Sequence, residues 1–74
     1  MKWQKIEKGK NRNTLELSQG AYVASINMRN SEGPFYFYIT NRETLITEVF
    51  EALPTLEQAK QFCEEYIIKH GRNI

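Results

Sequence analysis

The 74-residue sequence predicts an α+β domain in which an antiparallel meander of three to five strands packs on one C-terminal α-helix, about residues 56–70. Three observations carry this expectation. Leu53-Pro-Thr-Leu-Glu-Gln-Ala-Lys-Gln-Phe62 contains a helix start signal, and Phe35-Tyr-Phe-Tyr-Ile39 alternates with the period of a strand. Gly, Pro and Asn cluster between the apolar segments, where tight connections need them. A chain of this size buries only ~60% of its unfolded surface. Residues 1–74 are therefore expected to form one domain, with a basic segment at 1–12 and a frayed tail at 71–74. Strand order is not encoded in any of these signals.

Each element has its own warrant. In Trp3 to Lys8 the large apolar residues, Trp3 and Ile6, differ in parity, so a strand there has no clean face. Gly9-Lys-Asn-Arg-Asn13 reads as a polar turn, and Thr14-Leu-Glu-Leu17 alternates once before Ser18-Gln-Gly20 interrupts it, with Gly20 at a bend or bulge. Beyond Ala21, Tyr22, Ala24, Ile26 and Met28 fall on one side and Val23, Ser25, Asn27 and Arg29 on the other, the pattern of a half-buried strand. Asn30-Ser-Glu-Gly-Pro34 reads as a hairpin loop. In the strand that follows, Phe35, Phe37 and Ile39 share one face and Tyr36 and Tyr38 the other. After a turn at Asn41-Arg-Glu43, the segment Leu45 to Ala52 has no cleanly apolar parity, which predicts a strand containing a bulge.

Thr55 and Gln58 form a Thr-x-x-Gln capping box, and Glu57 suits the positive end of the helix. Leu56, Ala59, Phe62, Cys63, Tyr66 and Ile67 make one apolar stripe, with Lys60, Gln61, Glu64 and Glu65 toward solvent. Lys69 and His70 fill the last turn, and Gly71 is the expected left-handed stop.

Composition narrows the function classes. A chain that is 41% hydrophobic and 26% charged is an ordinary globular sequence, which excludes intrinsic disorder. The single cysteine excludes an internal disulfide and fits a reducing compartment, with the cytoplasm as the default. Neither a signal peptide nor a membrane span is expected, since the apolar runs are only strand-sized. Net charge is +1, yet residues 1–12 carry Lys2, Lys5, Lys8, Lys10 and Arg12 against Glu7, so that segment is +4 and the remainder −3. Such a segment either follows a phosphate backbone or blunts a sheet edge against aggregation.

No enzyme is expected. Cys63 and His70 lie seven apart with no third orienting group, and the pair lacks ligands for a metal site. Cys63 sits within the apolar stripe as a small core residue, and His70 interacts with the helix dipole. Glu64 and Glu65 diverge around the helix, no glycine-rich phosphate loop occurs, and no cofactor is expected. The outward strand faces are more informative. Tyr36 and Tyr38, joined by Arg29 and Val23 from the neighbouring strand, form an aromatic patch on a face with no second layer. Cross-strand aromatic pairing that merely stabilises a thin sheet is the bland reading of the same residues.

The strands followed by Leu53-Pro-Thr-Leu-Glu-Gln-Ala-Lys-Gln-Phe62 resemble small phage and mobile-element domains of a three-stranded sheet plus helix, such as the arm-binding domains of tyrosine integrases. The resemblance covers about the last third of the chain. It implies major-groove reading by the exposed sheet face, here Arg29, Tyr36 and Tyr38.

The first expectation is a non-enzymatic binding protein, an accessory or inhibitor factor of the phage or mobile-element kind, acting by protein–protein contact through Arg29, Tyr36, Tyr38 and Val23. The alternative is a DNA-binding module with Lys2, Lys5, Lys8, Lys10, Arg12 and Arg29 on nucleic acid. Free edges and an open face also predict a homodimer. No membrane partner is expected.

Overall fold

The computed structural model describes residues 2–7, 13–29 and 31–71. The expected turn at 9–13 therefore falls largely outside the described residues, as do Lys8, Lys10, Arg12, Asn30 and the tail after Gly71. Five strands, β1 (Gln4–Ile6), β2 (Thr14–Gln19), β3 (Tyr22–Asn27), β4 (Phe35–Asn41) and β5 (Ile46–Leu53), precede one helix, α1 (Leu56–Gly71). All neighbours pair antiparallel in the order β1-β2-β3-β4-β5, an open meander with the helix against one face.

The helix start follows from the capping box. The Gln58 N–H donates to Thr55 Oγ1 at 3.1 Å, and the Thr55 hydroxyl donates to Gln58 Oε1 at 3.2 Å, satisfying donors that the first turn cannot pair internally. Ala59, Cys63 and Ile67 are buried, Leu56 and Tyr66 half-buried. Phe62 is exposed at the rim of the stripe. Gly71 is the last helical residue rather than the first beyond it. Glu64 does not point to open solvent: it is half-buried and accepts a 2.7 Å hydrogen bond from Trp3 Nε1, which ties β1's approach to the helix.

Period-two alternation decides the core. Leu17, Ala24, Ile39 and Val49 form one row across the sheet, and Leu15, Ile26 and Phe37 form the next, all on the helix side. Ser18 and Gln19 continue β2 instead of interrupting it. The Gln19↔Tyr22 pairing leaves a two-residue hairpin in which Gly20 takes a positive φ of 59°. Arg42 braces this turn, its N–H donating to the Ala21 carbonyl at 2.6 Å and its guanidinium to the Gly20 carbonyl. Gly33, at φ 81°, is required twice over, because a Cβ there would lie 2.6 Å from the Pro54 carbonyl oxygen.

The β4–β5 turn runs one residue later than the sequence pattern indicates. Asn41 Oδ1 accepts the N–H groups of Glu43 at 2.9 Å and Thr44 at 3.3 Å, and Leu45 closes the turn at φ 63°. The expected bulge is in β5. Ile39 pairs with Val49 and Thr40 with Thr47, leaving Glu48 as the extra residue.

Candidate functional site

The face away from the helix is assembled by the same registers. Ser25 pairs with Tyr38 and Tyr38 with Phe50, while Val23 pairs with Thr40 and Tyr36 with Ala52. Tyr36, Tyr38 and Phe50 are 55%, 44% and 70% exposed, and the Tyr38 and Phe50 rings lie 6.4 Å apart. Val23 is half-buried beside them. Tyr36, Tyr38 and Val23 are thus brought together, and Phe50 completes the group. Arg29 is not in the sheet: β3 ends at Asn27, whose side chain accepts the Arg29 N–H at 2.8 Å, and Arg29 lies on the exposed turn beyond. The paired positions on this face are otherwise small or uncharged apart from Glu16, which pairs with Ser25 and Gln4. Beside Tyr38 a recess of about 190 Å³ is lined by Ile6, Thr14, Glu16, Ser25 and Asn27.

The basic residues are arranged differently. Lys5 pairs with Leu15, whose side faces the helix, so Lys5 and the tyrosines stand on opposite faces. Lys2 is exposed ahead of β1. The other three basic residues of the segment are those outside the described range.

Phe50 was hidden from pattern reading because the bulge shifts the parity of β5. At the bulge Glu48 keeps to the helix side, where alternation from Ile46 places it. There its Oε1 accepts hydrogen bonds from the hydroxyls of Tyr66 at 2.6 Å and Tyr22 at 3.3 Å, and its Oε2 one from Asn41 Nδ2 at 3.3 Å. The bond from Tyr66 leads the causes that hold the Glu48 carboxyl below its ordinary range, with Asn41, Tyr22 and the charge of His70 adding to it against the opposing effect of burial. Burial, then the bond to Glu48, pushes the Tyr66 hydroxyl up to about 12. His70 stacks on Tyr66 at 4.0 Å between ring centroids. A carboxylate engaged three ways and held ionised is a brace between the β5 bulge and the helix end, not a poised general base.

Cys63 is fully buried, and burial raises its thiol to about 12, so it remains a protonated core residue rather than a nucleophile. Among the described residues no group of three metal-ligating side chains converges, and no helix is long and apolar enough to cross a membrane. A broad cleft of about 570 Å³ between the β3–β4 loop and the start of α1 is lined by Met28, Phe35 and Leu56 with Lys5 and Glu32 at its margin. Compared with known families and proteins, the chain matches no family model, no curated protein and no solved structure.

Proposed function

We propose that this chain is a non-enzymatic binding protein, an accessory or inhibitor factor of the phage or mobile-element kind, that docks its open sheet face on a protein partner. One observation carries the reading: Tyr36, Tyr38 and Phe50 are exposed together on adjacent strands of a face that no second layer covers among the described residues. Aromatic side chains in a patch whose paired neighbours are small or uncharged apart from Glu16 match the composition of protein interfaces. The turn that joins their two strands also exposes an apolar residue. Leu45 is 82% exposed while held at φ 63°, a conformation that an apolar side chain disfavours and that Gly or Asn would adopt more readily.

A photo-crosslinking residue in place of Tyr38 tests the reading, with one in place of Gln61, on the exposed side of the helix, as the control. The expected result is a discrete protein adduct from position 38 that is absent from position 61 and is lost on Phe50→Ala. Equal adducts from both positions overturn it. So does salt-steep binding to random-sequence duplex or single-stranded DNA that Tyr36→Ala/Tyr38→Ala weakens, since phosphate contacts impose that salt dependence.

A further inference from the structure

The two edges of the sheet are built differently. β1 is three residues long with a lysine at its centre, the kind of edge that discourages further pairing. β5 is eight residues long, contains no lysine, arginine or proline, and no strand lies on its outer side among the described residues. The bulge at Glu48 interrupts it, but Val49 to Leu53 pairs without a break against β4 and leaves a regular five-residue run facing outward.

From this edge we infer that β5 accepts an extended segment of the partner protein as a sixth, antiparallel strand, with a lysine or arginine opposite Glu51 and apolar residues on either side of it. The inference rests on the protein-binding reading above and names the chemistry of the partner. In an antiparallel pair, directly opposed residues face the same side, so in a symmetric self-pair they share parity. A second copy using the whole run must then centre on Glu51 and set two like charges directly opposite each other. Centring on Phe50 instead draws the Glu48 bulge into the ladder and leaves only three regular pairs. The edge therefore discriminates against itself.

A basic side chain meets different surroundings. Glu51 is exposed on the helix side and pairs with Phe37, over which the Phe62 ring lies at 5.2 Å between centroids. Phe62 is 38% exposed. A guanidinium opposite Glu51 gains a carboxylate, with the partly exposed Phe62 ring beyond it over β4. The flanking residues of the added strand fall on the open face, opposite Phe50 and Ala52, and extend the aromatic patch. Backbone bonds to the free edge supply affinity, and the alternation of basic and apolar side chains supplies selectivity.

The test uses the whole chain with a capped peptide, Ser-Thr-Val-Arg-Val-Thr-Ser, read by amide chemical shifts and amide exchange. Saturable shifts and slowed exchange are expected at Val49 to Leu53, with shifts at Phe62. Exchanging the central arginine of the peptide for glutamate weakens binding by about fivefold or more, and Glu51→Lys reverses that preference. N-methylation of alternate peptide amides abolishes the effect. Shifts confined to other surfaces, equal binding of the methylated peptide, or concentration-dependent changes in β5 without peptide each overturn the inference, the last by showing a second copy in its place. Failure here with the position 38 crosslink intact removes the edge alone; failure of the crosslink removes the binding reading itself.

Discussion

The two faces of this sheet come from the same strands and alternate residue by residue, yet they obey different constraints. On the helix side, Ala24, Ile26, Phe37 and Ile39 are sealed beneath Ala59, Cys63 and Ile67. On the other side, at the intervening positions, Tyr36, Tyr38 and Phe50 hold large apolar surfaces in water. A domain with so little interior needs every buried side chain for stability, so the apolar material left outside marks what stability does not require.

Phe37→Ala is expected to have the largest effect, about 3–5 kcal/mol, because it opens a cavity at the centre of the only core the described residues form. Tyr38→Ala, one position along the same strand, is expected to lose less than about 1 kcal/mol, the scale of a cross-strand pair. Urea unfolding followed by Trp3 fluorescence measures both; equal losses would erase the distinction between the faces.

The Glu48 brace sharpens the comparison, since it belongs to the covered side although it sits on the most exposed strand. Glu48→Ala is expected to reduce stability by about 1 kcal/mol, discounted because the carboxylate is near the surface. The sign with pH follows from a depressed folded value. The contribution is present above the ordinary Glu value of 4.5 and is lost as pH falls below it through the lower folded value. Tyr66, raised toward about 12, gives the opposite limb: its contribution is present below 10 and is lost as pH rises toward the folded value. Thermal melts across acid and alkaline pH should show both limbs, and Glu48→Gln should flatten the acid one.

The smallest effect tests the turn that joins the two aromatic strands. Leu45→Asn relieves a leucine held left-handed at 82% exposure, and is expected to raise stability by about 0.5–1 kcal/mol. A gain in melting temperature accompanied by a weaker crosslink at position 38 would mean that this turn trades stability for binding. A loss of stability would mean that Leu45 supports the fold in spite of its exposure.

Local chemistry by itself determined the helix start, the inward sets Tyr22-Ala24-Ile26 and Phe35-Phe37-Ile39, and the presence of an irregularity in the last strand. Capping and alternation act within a few residues of their cause, so they are legible without knowing the fold. The tertiary structure decided what depends on register and on distant partners. Whether Trp3 belongs to core or surface turns on Glu64, 61 residues away in sequence. The location of the bulge turns on how β5 matches β4, and it alone set Val49 beside Glu48 on the helix side and so moved Phe50 onto the tyrosine face. The same dependence explains why Arg29 has the parity of Val23 and Ser25 but not their place. Alternation states which way a residue would point within a strand, whereas only hydrogen bonding to the neighbouring strand decides how far the strand extends.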